Sequence, residues 1–101
     1  MRVEWTALAL ADVEGLLDHL QEFGQATVRK VVKPILDGAA LLEGLPYLGV
    51  ESRDLASLGR YRHLVIGRYR VIYRIDEVSE VVYVLRVWDT RQDPHRIDLG
   101  E

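Results

Sequence analysis

Hydrophobic and polar residues follow two different periods in the two halves of the chain. Between residues 7 and 22 apolar side chains recur at three- and four-residue steps, and Thr6 is well suited to cap the helix that this spacing predicts. A second helical pattern covers residues 28–42, although Pro34 within it predicts a kink or a break. A short alternating segment at residues 3–5 predicts a strand before both helices.

The second half has the two-residue period of strands. From residue 60 onwards β-branched and aromatic residues dominate, and they predict strands at residues 60–66, 69–76 and 81–88. Gly67 separates the first two strands, and a polar stretch at residues 76–80 separates the second from the third. This half therefore predicts three sequential strands joined by tight turns.

The order of these elements predicts an α+β fold. A loop with a short turn at residues 52–58 connects the helices to the three strands, so the order is β-α-α-β-β-β. Two helices with a short connection should lie antiparallel, and sequential strands with tight turns should form an antiparallel meander. We expect the helical hairpin to cover one face of the sheet and to leave the opposite face available for function.

Composition narrows the class of protein. The 101 residues suffice for one domain, and 49% hydrophobic with 29% charged residues indicates a folded chain. The net charge of −3 argues against a protein that coats nucleic acid with its whole surface. No cysteine is present, which excludes disulfides and thiolate metal sites. The three histidines are too scattered for metal-ligand spacing, and no apolar stretch approaches the ~20 residues that span a bilayer. We expect a cytoplasmic protein without a cofactor.

Cationic side chains are concentrated in one hairpin. Five arginines and no acid lie between Arg60 and Arg74. Strand alternation places Arg68, Arg70 and Arg74 on one face of the middle strand. A face with this charge predicts an anionic partner, either a phosphate or a carboxylate.

Cross-strand pairing sharpens this prediction. If the turn between the last two strands is centred on Val78, Arg70 faces Arg86 directly, and on the other face Tyr73 faces Tyr83 and Val71 faces Leu85. Two opposed arginines repel, at a cost of roughly 0.2–1 kcal/mol relative to a neutral pair. A bound anion, a partner's carboxylate or a nearby acid such as Asp89 would relieve that repulsion.

The register of the first hairpin stays open at this point. A two-residue turn at Gly67 and Arg68 would place a histidine and a phenol beside the arginines, through Tyr61, His63 and Val65. A three-residue loop would instead place Arg60, Arg62 and Leu64 there.

Several other residues have plainer interpretations. Arg53 and Asp54 in the loop are typical of a solvated surface. Trp88 could stack on a base if it is exposed, but a position in the core or at its rim is favoured. A lone histidine on a strand, such as His63, is more often a packing or surface residue than a general base.

Three segments in this order resemble the RelE/ParE superfamily of bacterial type II toxins. They are VEWTALALADVEGLLDHL, LPYLG and RYRHLVIGRYRVIYRIDEVSEVVYVLRVWDTRQDP, and the resemblance spans about residues 2–94. It implies a small toxin that a cognate antitoxin wraps and neutralises, and that could form a hetero-oligomer with it.

Two activities occur in this superfamily. RelE-like toxins are ribosome-dependent endoribonucleases that cleave mRNA with basic side chains and no metal. By position, Arg70 matches the family's arginine of the middle strand, whereas Tyr61 and His63 stand where RelE carries lysines. The terminal tyrosine of the family is missing from a tail with Arg91 and His95. Under this interpretation the catalytic candidates are His63, Arg70, Arg86 and Arg91.

ParE-like toxins instead poison DNA gyrase and need a protein-binding surface. The longer helical hairpin, the strand VIYRID and the ending RQDP resemble them, and the missing lysine pair and tyrosine also favour this interpretation. The candidate anion- or partner-binding residues are then Arg62, Arg68, Arg70, Arg74, Arg86 and Trp88. A third alternative is a degenerate toxin that retains only antitoxin binding.

Overall fold

Two helices and five strands make up the fold. The structure is a computed structural model that describes residues 1–55 and 59–101. The elements are β1 (Arg2–Trp5), α1 (Ala7–Leu20), a 3-10 turn (Gln21–Phe23), α2 (Gln25–Leu41), β2 (Val50–Glu51), β3 (Tyr61–Ile66), β4 (Tyr69–Asp76), β5 (Val81–Asp89) and a second 3-10 turn (Pro94–Arg96). The predicted helices and the three long strands are confirmed, with ends that differ by at most a few residues.

All strands belong to one mixed sheet with the order β1-β5-β4-β3-β2. β3, β4 and β5 form the predicted antiparallel meander, and β1 adds to it in parallel beside β5. β2 pairs with β3 through Val50 and Glu51. Because two residues show no alternation, β2 was not predicted. The α+β class and the packing of the helices on the sheet are confirmed.

The predicted turn at residues 52–58 is only partly described. Ser52 and Leu55 close a turn, with the Leu55 N–H donating to the Ser52 carbonyl over 3.3 Å. Residues 56–58 lie outside the described residues.

Thr6 joins the start of α1 to the sheet. Its hydroxyl oxygen accepts the N–H of Ala9, as the predicted cap requires. The same hydroxyl lies 3.0 Å from the carbonyl oxygen of Val84, which also accepts the Thr6 N–H over 3.0 Å. One residue therefore ends β1, begins α1 and fixes the helix against β5.

Pro34 does not break the second helix. α2 continues from Gln25 to Leu41 with Pro34 inside it, so the predicted break is wrong. Proline has no N–H to donate to the carbonyl four residues earlier, that of Lys30. Both residues are exposed, so water can satisfy that carbonyl and the helix continues.

The sheet carries a hydrophobic cluster on each face. On the helix side, Ala9, Leu16, Ile35 and Ala39 pack against β-strand residues that include Val71 and Val84. On the opposite side, Tyr61, Ile72, Leu85 and Trp88 form a second cluster, covered by Leu55, Ile97 and Leu99. The expectation that this second face is open is therefore wrong, because residues 97–101 run across it.

The register of β4 and β5 differs from the predicted one. The observed partners include Arg70 with Trp88, Ile72 with Arg86, and Tyr73 with Val84. The predicted pairs of Arg70 with Arg86, Tyr73 with Tyr83 and Val71 with Leu85 are wrong. A four-residue connection between Asp76 and Val81 moves the centre of the turn, and a bulge that leaves Leu85 unpaired adds a further shift. A prediction from the strict alternation of side chains along a strand detects neither the position of the turn nor a bulge.

The first hairpin has the shorter of its two possible loops. Ile66 pairs with Tyr69, which leaves Gly67 and Arg68 as the loop residues. Gly67 has a φ of +60° at the first loop position, where a type II′ turn requires a positive value. The histidine-bearing alternative is therefore the observed one: Tyr61, His63 and Val65 lie opposite Arg74, Ile72 and Arg70.

Asp12 of α1 binds the bulged part of β5. β1 pairs with β5 only as far as Val84, so the strand beyond it has a free edge. The Asp12 carboxylate accepts the Val87 N–H over 2.8 Å and two N–H groups of Arg86, each over 2.8 Å. The Arg86 and Asp12 side chains are only 14% and 16% exposed.

We predict that Asp12→Asn lowers the free energy of unfolding by roughly 2–4 kcal/mol, because it leaves a largely buried guanidinium without its counter-charge. Urea unfolding measures this. Asp18→Asn, the same change at an exposed position of α1, is the matched control and should change the free energy by less than about 0.5 kcal/mol. Equal stability of the two variants would contradict a structural role for Asp12.

Candidate functional site

The candidate site is the sheet face that points away from the helices. We call it the arginine face, and its strand cations are Arg70 and Arg74 of β4 and Arg86 of β5. Its apolar floor is the cluster of Tyr61, Ile72, Leu85 and Trp88. The prediction that the three arginines share one face agrees with the observed pairing, although Arg70 and Arg86 lie diagonally and not opposite each other.

Arg70 is buried and bound to an acid of the same chain. It is 8% exposed, and its guanidinium forms a fork with Asp54 through bonds of 2.9 Å and 2.6 Å. The hydrogen bonds from Arg70 lower the pKa of Asp54 below its ordinary range. Asp54 is exposed, as the sequence predicted, but its carboxylate also binds the Arg70 guanidinium, a contact that was not predicted.

His63 lies beside this pair and bonds to a buried serine. Its Nδ1 is 2.6 Å from the Ser52 Oγ, and Ser52 is 2% exposed. Burial lowers the pKa of His63, and the neighbouring Arg70 charge lowers it further, with a smaller opposing effect from Asp54. His63 is therefore neutral near pH 7 and engaged in a structural contact.

Arg74 and Arg86 are also bonded within the chain. The Arg74 guanidinium contacts both carboxylate oxygens of Glu101, at 2.8–3.0 Å, and lies 4.8 Å from the centre of the Tyr83 ring. Arg86 binds Asp12 and also donates to the Asp98 carbonyl oxygen over 2.7 Å. Each strand arginine of the face therefore has its own carboxylate.

The remaining predicted residues lie around this face. Trp88 is 9% exposed and lies under the Arg86 guanidinium, 5.2 Å from ring centre to Cζ, which agrees with a core position. Arg62 faces the other way, where it donates to the Gly49 carbonyl over 2.7 Å. It does not share the face of Arg70, because its position in β3 has the opposite parity.

Arg68 and Arg91 are the exposed cations of the predicted set. Arg68 occupies the β3–β4 loop, and Arg91 pairs with Asp89 over 2.9 Å. Together with Arg86 they line a cleft of about 390 Å³ at the end of the sheet. His95, beyond the cleft, contacts Asp93 and is exposed.

Sequence reasoning missed the acids that neutralise the arginines. Asp54, Asp12 and Glu101 are separated from their partners by 16, 74 and 27 positions respectively. No local spacing indicates such pairs, because the fold brings together residues from a loop, a helix and the segment after β5. The guanidinium groups of Arg70 and Arg86 bind different acids, Asp54 and Asp12, which relieves the repulsion expected between them.

Within residues 1–55 and 59–101, no group of three or more histidine, aspartate or glutamate side chains could hold a metal ion. Across the same residues, the helices are too short or too polar to cross a bilayer.

Comparisons with known proteins identify relatives of this fold. The family model described as ParE toxin of type II toxin-antitoxin system, parDE, matches residues 3–94. A solved structure of the chromosomal ParDE TA system from P. aeruginosa aligns with a TM-score of 0.70 at 21% identity, over 88% of this chain and 95% of that one. The toxin-antitoxin complex RelBE2 from Mycobacterium tuberculosis aligns with a TM-score of 0.63 at 24% identity, over 87% and 95%. No curated protein sequence matches the chain.

We predict that Asp54→Asn lowers the free energy of unfolding by roughly 1–3 kcal/mol, because a neutral amide replaces the only carboxylate of the described residues that binds the buried Arg70 guanidinium. Chemical denaturation measures the change. Asp37→Asn removes the exposed pair with Lys33 and is the matched control, with an expected cost below about 0.5 kcal/mol. Equal losses of unfolding free energy in Asp54→Asn and Asp37→Asn would show that the Arg70 contact contributes no more stability than an exposed surface pair.

His63 should make stability depend on pH. Its folded-state pKa is below the ordinary value of 6.5, so the unfolded chain binds the proton first as the pH falls. Stability should therefore decrease as the pH falls below about 7, through the unfolded-state pKa and toward the lower folded-state pKa. His63→Gln should flatten that part of the profile, measured by urea unfolding at several pH values. His19→Gln, at an exposed position, should keep the wild-type slope, and a His63→Gln profile with that same slope would contradict the assignment.

Proposed function

This chain belongs to the ParE toxin family of type II toxin–antitoxin systems, and we propose that it inhibits growth by poisoning DNA gyrase when it is free. In this proposal a cognate antitoxin neutralises it by binding. Both gyrase and the ribosome are cytoplasmic, so the toxin acts in the cytoplasm under either of the activities considered below.

The match to the ParE family over residues 3–94 is the observation that carries this proposal. The bonding of the arginine face supports it. Cleavage of RNA needs a base for the 2′-hydroxyl, cations for the pentavalent phosphorane and an acid for the leaving oxygen. Here Arg70, Arg74 and Arg86 are each bound to a carboxylate, and His63 is bound to Ser52. A gyrase poison needs no such free groups.

Ribosome-dependent cleavage of mRNA is the second candidate. It is favoured by the cleft in which Arg68, Arg86 and Arg91 converge near Trp88, since three guanidinium groups can bind phosphate. Two of these arginines already pair with Asp12 and Asp89, which makes the cleft a weaker anion site than its cations alone suggest. A degenerate toxin that only binds antitoxin is the third candidate.

We predict that induced expression stops growth, stabilises gyrase cleavage complexes and activates DNA-damage signalling. Covalent gyrase–DNA complexes and the 5′ ends of mRNA on ribosomes are measured in the same cultures. Codon-phased mRNA ends with unaltered gyrase turnover would overturn the proposal in favour of the ribonuclease. Normal growth of cells that contain folded protein would favour the degenerate toxin.

A pair of surface variants tests whether exposed cations contribute to the activity. Arg70 is unsuitable for this purpose, because its removal alters a buried contact. Arg68→Ala should reduce toxicity, since Arg68 is an exposed cation of the cleft beside the arginine face. Arg29→Ala, at an exposed position of α2, is the control and should leave toxicity unchanged.

A further inference from the structure

β1 lies at one end of the sheet, and its outer side has no strand beside it. It pairs in parallel with β5 alone. On the inner side, the main-chain N–H groups of Arg2 and Thr6 donate to β5 over 3.2 Å and 3.0 Å. Because successive residues of a strand direct their N–H and C=O groups to opposite sides, those of Val3 and Trp5 point away from β5.

These outward groups form a sheet edge that another strand can extend. Among the residues that the structure describes, neither Val3 nor Trp5 has a main-chain partner on that side. Many proteins protect such an edge with a proline or a bulge. The register of β1 with β5 is regular, and β1 contains no proline. The edge is therefore available for pairing.

An apolar groove adjoins this edge on the helix side. It has a volume of about 550 Å³ and lies between β1 and the second half of α2. Val3 and Trp5 line it from the strand, and Leu36 and Ala40 line it from the helix. Leu36 is 45% exposed. Exposed apolar surface beside an unpaired strand is typical of an interface between proteins.

Strand geometry leaves few ways for β1 to pair with β1 of a second copy. A symmetric pair is related by a two-fold axis, so its strands run antiparallel. Outward-pointing residues must lie opposite each other, which allows an axis at Val3, Glu4 or Trp5. An axis at Trp5 would place Val3 opposite Ala7, which already belongs to α1.

Charge selects between the two remaining axes. An axis at Glu4 would place this acid opposite its own copy, where like charges repel. An axis at Val3 instead places Arg2 of each copy opposite Glu4 of the other. These are non-hydrogen-bonded positions, where the Cα atoms lie about 4.5 Å apart and the side chains are closest. The two Val3 residues then exchange main-chain hydrogen bonds.

The two charged side chains already have a suitable arrangement in the single copy. Arg2 and Glu4 share one side of β1, and Arg2 Nε lies 2.9 Å from Glu4 Oε1. Their side chains are 69% and 44% exposed, so both remain accessible to a second copy. In the pair centred on Val3, four charges alternate in sign along and across the strands.

We propose that the chain forms a homodimer through antiparallel pairing of β1 with β1 of a second copy, centred on Val3. The five-stranded sheets of the two copies then form one continuous sheet. The two-fold axis is perpendicular to this sheet, so both pairs of helices lie on the same side and the two apolar grooves adjoin. This proposal does not depend on the target of the toxin.

Sedimentation equilibrium of the untagged full chain measures the association. The contacts are few, so we expect a weak dimer with a dissociation constant of roughly 1–100 μM. A tag at the first residue would lie beside the pairing strand and must be absent. A monomer at every concentration would overturn the proposal.

Charge reversal tests the register. Arg2→Glu places two acids opposite each other at two points of the interface, and Glu4→Arg places two arginines there. Each single variant should raise the dissociation constant at least about tenfold. The double variant with both changes restores the alternating charges and should return to within about threefold of the wild type. Indifference to Arg2→Glu, or failure of the double variant to restore the dimer, would overturn the proposal.

Two exposed positions provide matched controls. Lys30→Glu reverses a cation on α2, and Glu51→Arg reverses an acid on β2, the strand at the opposite end of the sheet. Neither change should alter the dissociation constant. A weaker dimer in Glu51→Arg would show that the copies pair through β2, which would contradict the proposal.

Hydrogen exchange of the wild-type chain gives a measurement that needs no variant. The Val3 N–H points to solvent in the single copy and is hydrogen-bonded in the dimer. Its exchange should therefore slow as the protein concentration rises, whereas the exposed amide of Val78 should exchange at a constant rate. A Val3 rate that does not depend on concentration would also overturn the proposal. Gyrase is absent from all these measurements, so their outcome does not bear on the proposed target.

Discussion

The free edge of β5 beyond Val84 is the constraint on which the rest of the molecule depends. β1 pairs with β5 only to that residue, and a buried strand cannot leave its N–H groups without acceptors. Asp12 accepts the Val87 N–H and at the same time binds the Arg86 guanidinium. The Asp12 carboxylate thus supplies an acceptor that a neighbouring strand would otherwise provide, and it holds α1 against the sheet.

The bulge at Leu85 belongs to the same arrangement. It changes the alternation of β5, so that Leu85 and Trp88 both contribute to the apolar floor opposite the helices. It also places Arg86 opposite Ile72 and not opposite Val71, and so on the same face as Arg70 but diagonal to it. The two guanidinium groups then bind different acids, Asp54 and Asp12, and the repulsion that a direct pair would create is avoided.

The charges of the arginine face are neutralised by acids of the same chain. A largely buried cation needs an acidic partner in the protein, because removing its charge from water has a large free-energy cost. An exposed ion pair contributes too little free energy to offset that cost. Arg70, Arg74 and Arg86 each obtain that partner from the same chain. The face therefore presents a covered apolar surface with its charges already paired. Such a surface offers a reacting phosphate no strand arginine without a carboxylate partner.

The amino-acid sequence by itself determined both helices, four of the five strands, the α+β class, the cap at Thr6 and the sharing of one face by Arg70 and Arg74. These features follow from local periods and from residues that are close in the chain. Only the tertiary structure decided the parallel place of β1, the bulge at Leu85 and the acids that bind each arginine. Asp12 and Arg86 are 74 positions apart, and no short-range pattern records a contact that depends on how a helix packs against a strand. For the same reason, the sequence indicated an open cationic face, whereas residues 97–101 cover it.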